Sequence, residues 1–153
     1  MRIAGTLPCS FCNGEGIRYV IFTQGCKHHC PGCQNPETWD FDGGREVSIN
    51  SLIKSIREHP YIDGITLSGG DPFYQQKECC KLLDMLPEYN VWCYTGFVWD
   101  EIKDTPLAKK CDVVVSGPFV EELRCYDKMY GSSNQELHRK EDTNEESRLQ
   151  SDC

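Results

Sequence analysis

Four short apolar runs separated by helical patterns constrain the fold of this chain most strongly. The runs cover residues 19–23, 64–68, 90–94 and 111–115. Helical patterns lie between them at residues 48–58, 76–86 and 98–103, where Ser48 is a typical N-cap and Pro60 and Pro87 end the first two. Strands that alternate with helices predict an α/β fold with a mostly parallel sheet. Residues 1–17 show little periodicity, and no strand is predicted there.

Each predicted strand is followed directly by an unusual sequence. A cysteine-rich loop follows the first strand, and the other three are followed by Gly69-Gly70-Asp71-Pro72, Thr95-Gly96 and Ser116-Gly117-Pro118. The C-terminal ends of parallel strands share one edge of a sheet, and ligands bind at that edge in α/β folds. The four sequences are therefore expected to form a single site.

The cysteine-rich loop carries three cysteines in a C-x3-C-x2-C spacing, at Cys26, Cys30 and Cys33. Three thiolates this close in sequence can bind one inorganic centre. Three ligands leave one iron of a four-iron cluster without a protein ligand, and chemistry can occur at that iron. The spacing therefore favours a [4Fe–4S] cluster.

A zinc site built from different cysteines is the alternative of another class. Cys9 and Cys12 form one C-x2-C pair, and Cys30 and Cys33 form a second one after seventeen intervening residues. This spacing is typical of structural zinc sites and would indicate a zinc-stabilised binding module. That arrangement leaves Cys26 without a role.

The remaining cysteines and the two loop histidines are expected to support the structure. Thiols on or near predicted elements pack as small apolar groups, which applies to Cys79, Cys80, Cys93, Cys111 and Cys125. His28 and His29 lie inside the cysteine loop. A solvated or supporting role is favoured for both over ligation, because three cysteines already supply the ligands.

Composition limits the partners and the location. The formal net charge is -8, which disfavours nucleic acid as the main partner because phosphate binding needs an excess of basic residues. No window approaches the roughly 18 apolar residues of a membrane span, and the first residues do not resemble a signal peptide. A cytoplasmic location is expected. The polar, acidic residues 139–153 are expected to form a disordered tail after a single domain of residues 1–138.

The motifs over residues 13–135 resemble the radical S-adenosylmethionine (SAM) superfamily. Within it, the chain resembles the family of proteins that activate anaerobic ribonucleoside-triphosphate reductase. The resemblance rests on C-x3-C-x2-C, on Leu67-Ser68-Gly69-Gly70-Asp71-Pro72 and on Gly131-Ser132-Ser133-Asn134-Gln135.

The resemblance implies an oxidoreductase that uses a [4Fe–4S] cluster and SAM. Cys26, Cys30 and Cys33 would hold the cluster, whose fourth iron binds SAM. Reductive cleavage of SAM would give a 5′-deoxyadenosyl radical, which makes a glycyl radical on the reductase. The implied electron donor has a low potential, as flavodoxin does. The implied cofactor-binding residues are Gly32, Cys33, Gln34, Gly69, Gly70 and Thr95, with Gly69 and Gly70 at the methionine end of SAM and Thr95 near its ribose.

Chain length adds an argument about shape. A complete eightfold β/α barrel takes about 250 residues, whereas this chain has 153. A partial, open parallel β/α barrel of radical SAM type is expected, and its open side can admit a loop of a protein substrate. Two alternatives stay within the superfamily: an activator of another glycyl-radical enzyme, and a small enzyme similar to carboxy-deazaguanine synthase.

Overall fold

A seven-stranded sheet organises the computed structural model, which describes residues 1–33, 35–126 and 130–140. The strands are β1 (Arg2–Ser10), β2 (Arg18–Thr23), β3 (Arg45–Glu46), β4 (Gly64–Gly69), β5 (Asn90–Tyr94), β6 (Val113–Ser116) and β7 (Glu136–Arg139). The helices are α1 (Ile49–Arg57), α2 (Gln76–Asp84), α3 (Trp99–Ile102) and α4 (Pro106–Lys110).

The strand order is β3-β1-β2-β4-β5-β6-β7. Neighbours among β2, β4, β5 and β6 pair in parallel, and β1, β3 and β7 add antiparallel pairs at the two sides. The edge strands β3 and β7 do not pair with each other in the described part of the chain, so the sheet stays open there. The predicted α/β class and the open parallel barrel are confirmed.

The helices cover one face of the sheet. Alternate residues of the parallel strands, such as Ile21, Leu67 and Cys93, share one core cluster with Leu52 of α1 and Leu82 of α2. Parallel strands in chain order, joined by crossovers of one hand, place every connecting helix on the same side. The helix-covered face is therefore the outer wall of the partial barrel.

The opposite, inner face holds a buried arginine. Arg18 is 1% exposed, and its guanidinium donates to Thr66 Oγ1 at 3.1 Å, to the Ile65 carbonyl at 2.7 Å and to Asn90 Oδ1 at 2.9 Å. Burial lowers its pKa, and nearby acidic groups oppose that shift. Trp92 packs on the same face, 5.9 Å from the guanidinium carbon. These groups fill the interior below the site described next.

Four elements differ from the sequence prediction, and one of them is the two-residue strand β3, which is too short to show an alternation. β1 lies within residues 1–17, where no strand was predicted. Only Ile3 and Ser10 of its nine residues are buried, so the sequence shows too weak an alternation to indicate a strand. α4 is only five residues long, which is too short to show a helical period. β7 has Leu137 as its single apolar residue and shows no alternation, and its last residue, Arg139, lies in the predicted tail. Residues 141–153 of the predicted tail lie outside the described residues.

Candidate metal and cofactor site

A cavity of about 120 Å³ lies at the C-terminal edge of the parallel strands. Its walls come from the cysteine loop and from the ends of β4, β5 and β6, and they include Cys26, Cys30, Cys33, Ser68, Gly69, Gly70, Tyr94, Thr95, Gly96 and Gly117. The structure thus brings the four unusual sequences together on one cavity, as predicted from their positions.

Backbone hydrogen bonds hold the base of the cysteine loop. Gly25 N donates to the Thr38 carbonyl at 2.7 Å, and Cys26 N donates to the Trp39 carbonyl at 3.1 Å. The buried carboxamide of Gln24 donates to the Asp40 carbonyl at 2.7 Å. The residues before and after the cysteine loop are therefore hydrogen-bonded to each other, which fixes both ends of the loop. Cys26, at its start, is buried with 7% exposure.

The surroundings of Cys26 and Cys30 raise the pKa of both thiols but also offer hydrogen bonds to their sulfur atoms. Burial raises the pKa of Cys26 and the carboxylate of Asp71 adds to the shift, while the backbone N–H groups of His28 and His29 oppose it. Burial also raises the pKa of Cys30, where the backbone N–H of Phe119 opposes the shift. Such N–H groups stabilise a thiolate once it is bound to a metal, because they donate to its sulfur.

The arrangement suits a cluster better than a single ion. Within residues 1–33, 35–126 and 130–140, no three His, Cys, Asp or Glu side chains are placed to hold one metal ion. Cys9 and Cys12 are exposed and do not line the cavity, so the four-cysteine zinc site is not formed. In a four-iron cluster each thiolate binds a different iron, so three thiols around one cavity fit that group.

Two glycines, the last residue of β4 and the residue after it, bring the cysteine loop against the sheet. A Cβ at Gly70 would lie 2.4 Å from the Gly25 carbonyl oxygen, and one at Gly69 would lie 2.5 Å from Thr23 N. Gly70 N donates to the Thr23 carbonyl at 2.7 Å, and Asp71 N donates to the Gly25 carbonyl at 2.9 Å. Because these two residues have no side chains, the ends of β2 and β4 can come into close contact. Their backbone atoms also form part of the cavity wall.

The carboxylate of Asp71 connects three loops of the site. It accepts from Phe73 N at 3.0 Å, from Gly96 N at 2.9 Å and from the Thr95 hydroxyl at 2.9 and 2.8 Å. His28 Nε2 lies 2.8 Å from its Oδ2. Asp71 is 1% exposed, so this carboxylate is an internal tie rather than a solvent-exposed acid.

The other predicted residues take different positions. Gly32 lies at a positive φ of 75°, and its carbonyl accepts from Arg124 at 3.2 Å. A Cβ on Gly32 would meet Glu121 at 2.7 Å. Gly32 is absent from the cavity wall, whereas Cys33 and Thr95 belong to it. Gln34 lies outside the described residues.

Two residues that the sequence reasoning did not include among the site residues have clear roles in building the cavity. Asp71 links the three loops as described above. Its position directly after the glycine pair is the sequence feature that could have indicated this role. Gln135 accepts from Gly131 N at 2.9 Å and donates to the Gly117 carbonyl at 3.0 Å. It thereby joins the Gly-Ser-Ser-Asn-Gln segment to the end of β6 and completes the wall.

Comparison with known proteins agrees with this site. A family model described as a 4Fe-4S single cluster domain matches residues 12–138. A protein of Enterobacteria phage T4 is 37% identical over 139 residues, which cover 85% of this chain and 88% of the relative. It is named anaerobic ribonucleoside-triphosphate reductase-activating protein. The chain belongs to this family.

Bacterial members of the family are similar over nearly their whole length. The relative from Salmonella typhi is 33% identical and is covered to 98%, with 90% of this chain aligned. The relative from Escherichia coli K12 is 33% identical and is covered to 94%, with 86% of this chain aligned. The solved structure of QueE from Escherichia coli aligns with 62% of this chain and 51% of that one, at 18% identity and a TM-score of 0.49.

Proposed function

We propose that this chain is a radical SAM activating enzyme that generates the glycyl radical of anaerobic ribonucleoside-triphosphate reductase. Cys26, Cys30 and Cys33 would hold a [4Fe–4S] cluster. The observation that carries the proposal is that these three thiols line one cavity at the ends of the parallel strands. Backbone N–H groups are directed to two of the sulfurs. The family's printed name supplies the reductase as the target.

Four of the proposed SAM-binding residues, Cys33, Gly69, Gly70 and Thr95, line the same cavity, and Gly32 and Gln34 are the sequence neighbours of Cys33. We assign SAM binding to these six residues. Gly69 and Gly70 give bare backbone in the wall, whose amide and carbonyl groups suit the amino and carboxylate groups of an amino acid. The hydroxyl of Thr95 donates to Asp71 and accepts from Phe97 N. A hydroxyl oxygen has two lone pairs, so one remains for a ribose hydroxyl.

When bound, the cluster and SAM supply the one-electron chemistry and the radical. The chain's own residues hold and enclose them. The cysteine loop fixes the thiols, and the Asp71 tie keeps the ends of β4 and β5 in register with that loop. The Gly-Ser-Ser-Asn-Gln segment closes the β6 side through Gln135. The open side of the partial barrel leaves a path for a loop that carries the target glycine.

The electron donor, the location and the partners complete the proposal. A low-potential protein such as flavodoxin would reduce the cluster, and the enzyme would act in the cytoplasm. None of the described helices is long and apolar enough to cross a membrane. The net charge of -8 disfavours binding to the phosphate backbone of nucleic acids and to anionic membrane surfaces.

Electron paramagnetic resonance (EPR) of the reductase tests this function. The chain, reconstituted anaerobically with iron and sulfide, is mixed with the reductase, SAM and a reductant. A glycyl radical signal is expected with the wild type and with Cys80→Ala, and it is expected to be absent with Cys26→Ala. A cluster-loaded chain that converts a small molecule unaided and leaves the reductase silent would contradict the proposal.

A further inference from the structure

His28 occupies a position that ligation of a metal does not explain. It lies in the cysteine loop between Cys26 and Cys30, and its side chain is 19% exposed. Its Nε2 atom lies 2.8 Å from Oδ2 of Asp71, whose side chain is fully buried. A hydrogen bond to a buried carboxylate is among the stronger side-chain interactions. The imidazole therefore fastens the loop to the sheet between two cysteines of the loop.

Asp71 is a fixed anchor for that bond. Three donors besides His28 hold its carboxylate: Phe73 N, Gly96 N and the Thr95 hydroxyl. These donors come from the turn after β4 and from the end of β5. The carboxylate of Asp71 is fixed by donors near the ends of β4 and β5. Its bond to His28 therefore fixes the cysteine loop relative to those two strand ends.

The end of β5 is shaped around the His28 ring, which is an independent observation. A Cβ at Gly96 would lie 2.6 Å from His28 Cδ2, so only glycine leaves space for the ring there. The ring packs edge-on against Phe97 with centroids 4.6 Å apart. Tyr74 lies on another side at 5.9 Å. Gly96, Phe97 and Tyr74 thus surround the imidazole ring of His28 and fix its position.

The same pair places a negative charge beside the site. The buried Asp71 carboxylate is hydrogen-bonded to His28, Thr95 and Gly96, and all three of these residues line the cavity together with the cysteines. A negative charge next to the cavity disfavours the extra electron of a reduced cluster. The reduction potential of an iron–sulfur cluster depends on nearby charge and hydrogen bonds.

We propose that His28 is a positioning residue for the cluster and that Asp71, to which it is bonded, lowers the reduction potential of that cluster. The inference rests on the proposed function only in that the cluster is held by Cys26, Cys30 and Cys33. His28 keeps the loop in the conformation that presents the thiols. Asp71 makes the bound cluster harder to reduce and so a stronger reductant.

Iron release from the reconstituted chain tests the positioning role. His28→Ala is expected to lose iron to a ferrous chelator about tenfold faster than the wild type, the effect of losing one charge-assisted hydrogen bond. His28→Gln can still donate a hydrogen bond to Asp71, so its rate of iron release should be close to that of the wild type. The matched control is His29→Asn, because His29 stacks on Trp39 at 4.6 Å and has a φ of 47°, which asparagine tolerates. It should behave as the wild type.

Release from His28→Ala at the wild-type rate would overturn the positioning role. Equal acceleration in His29→Asn would do the same, because the effect would then belong to the whole loop.

The reduction potential tests the role of Asp71 separately. In an EPR-monitored redox titration, Asp71→Asn is expected to move the midpoint potential of the cluster to a less negative value. Thr95→Val serves as the control, since it removes a hydrogen bond to Asp71 while keeping the charge. An unchanged midpoint in Asp71→Asn, or an equal shift in Thr95→Val, would overturn this part.

Both measurements use the chain without the reductase. A failure to produce a glycyl radical would count against the proposed function without altering either result. If Asp71→Asn does not fold, the iron-release series still decides the role of His28.

Discussion

Two groups of cysteines in this chain have the same side chain but opposite surroundings. Cys26, Cys30 and Cys33 line a cavity at the ends of the parallel strands. Cys79, Cys93 and Cys111 are buried with 0–2% exposure between the sheet and the helices. The first group faces the cavity and has backbone N–H donors at two of its sulfurs, whereas the second belongs to the apolar core cluster. Position relative to the strand ends, rather than residue type, therefore separates the candidate ligands from the core.

Removing one thiol from each group should give the largest contrast. Cys26→Ala is expected to lose most of the iron and the broad absorbance near about 400 nm after anaerobic reconstitution, because a cluster ligand is gone. Cys93→Ala is expected to keep both, and its free energy of unfolding should fall by only about 1 kcal/mol from the small cavity. Iron analysis and denaturant titration measure the two quantities. Equal iron loss in both variants would remove the distinction between the groups.

A glycine substitution tests whether the cavity edge is packed as closely as its contacts indicate. Gly70→Ala places a Cβ 2.4 Å from a backbone oxygen of Gly25, and neither group can move without displacing a strand end. We expect a loss of about 2 kcal/mol in the free energy of unfolding, together with weaker iron retention.

Gly5→Ala is the matched control for this substitution, because nothing lies within 4 Å of its Cβ position. Its stability should stay within about 0.5 kcal/mol of the wild type. A Gly70→Ala chain as stable as the Gly5→Ala chain would show that the two strand ends are not in tight contact.

The buried core thiols should make the free energy of unfolding depend on pH. Burial raises the pKa of Cys79 and Cys93 well above that of a free thiol. The folded chain therefore keeps protons that the unfolded chain loses above about pH 8.5. The stability from these neutral thiols is complete below that pH and falls as the pH rises, by at most about 1.4 kcal/mol per pH unit for each thiol.

The variant Cys79→Ala, compared with the wild type between pH 8 and pH 10, should show a shallower fall in the free energy of unfolding. Cys125→Ala serves as the control, because Cys125 is only partly buried. Parallel pH profiles for the wild type and Cys79→Ala would mean that this thiol ionises in the folded chain.

The sequence predicted the four parallel strands and the single site because both depend on local patterns. The strand at residues 90–94 matches β5 residue for residue, and Ser48 caps α1 by accepting from Ser51 N. β1 was missed because a segment with Gly5, Pro8 and only two buried positions shows no hydrophobic period. Tertiary pairing with β2 determines its conformation instead.

The tie at Asp71 could not be predicted from a local pattern. Its partners His28 and Thr95 lie 43 and 24 residues away in the chain, so only the fold brings them together. The glycine pair was predicted to give a ligand close access to backbone. The structure adds that Gly69 and Gly70 also allow β4 to contact the end of β2, which no spacing in the sequence indicates.

The central claim is that three cavity thiols hold a four-iron cluster with one iron open to SAM. EPR of the reduced, reconstituted chain before and after addition of SAM tests it most directly. The account predicts a [4Fe–4S]⁺ signal whose shape changes with SAM, because SAM binds the iron that lacks a protein ligand. A cluster signal unchanged by saturating SAM, or tightly bound zinc that survives Cys26→Ala, would contradict it.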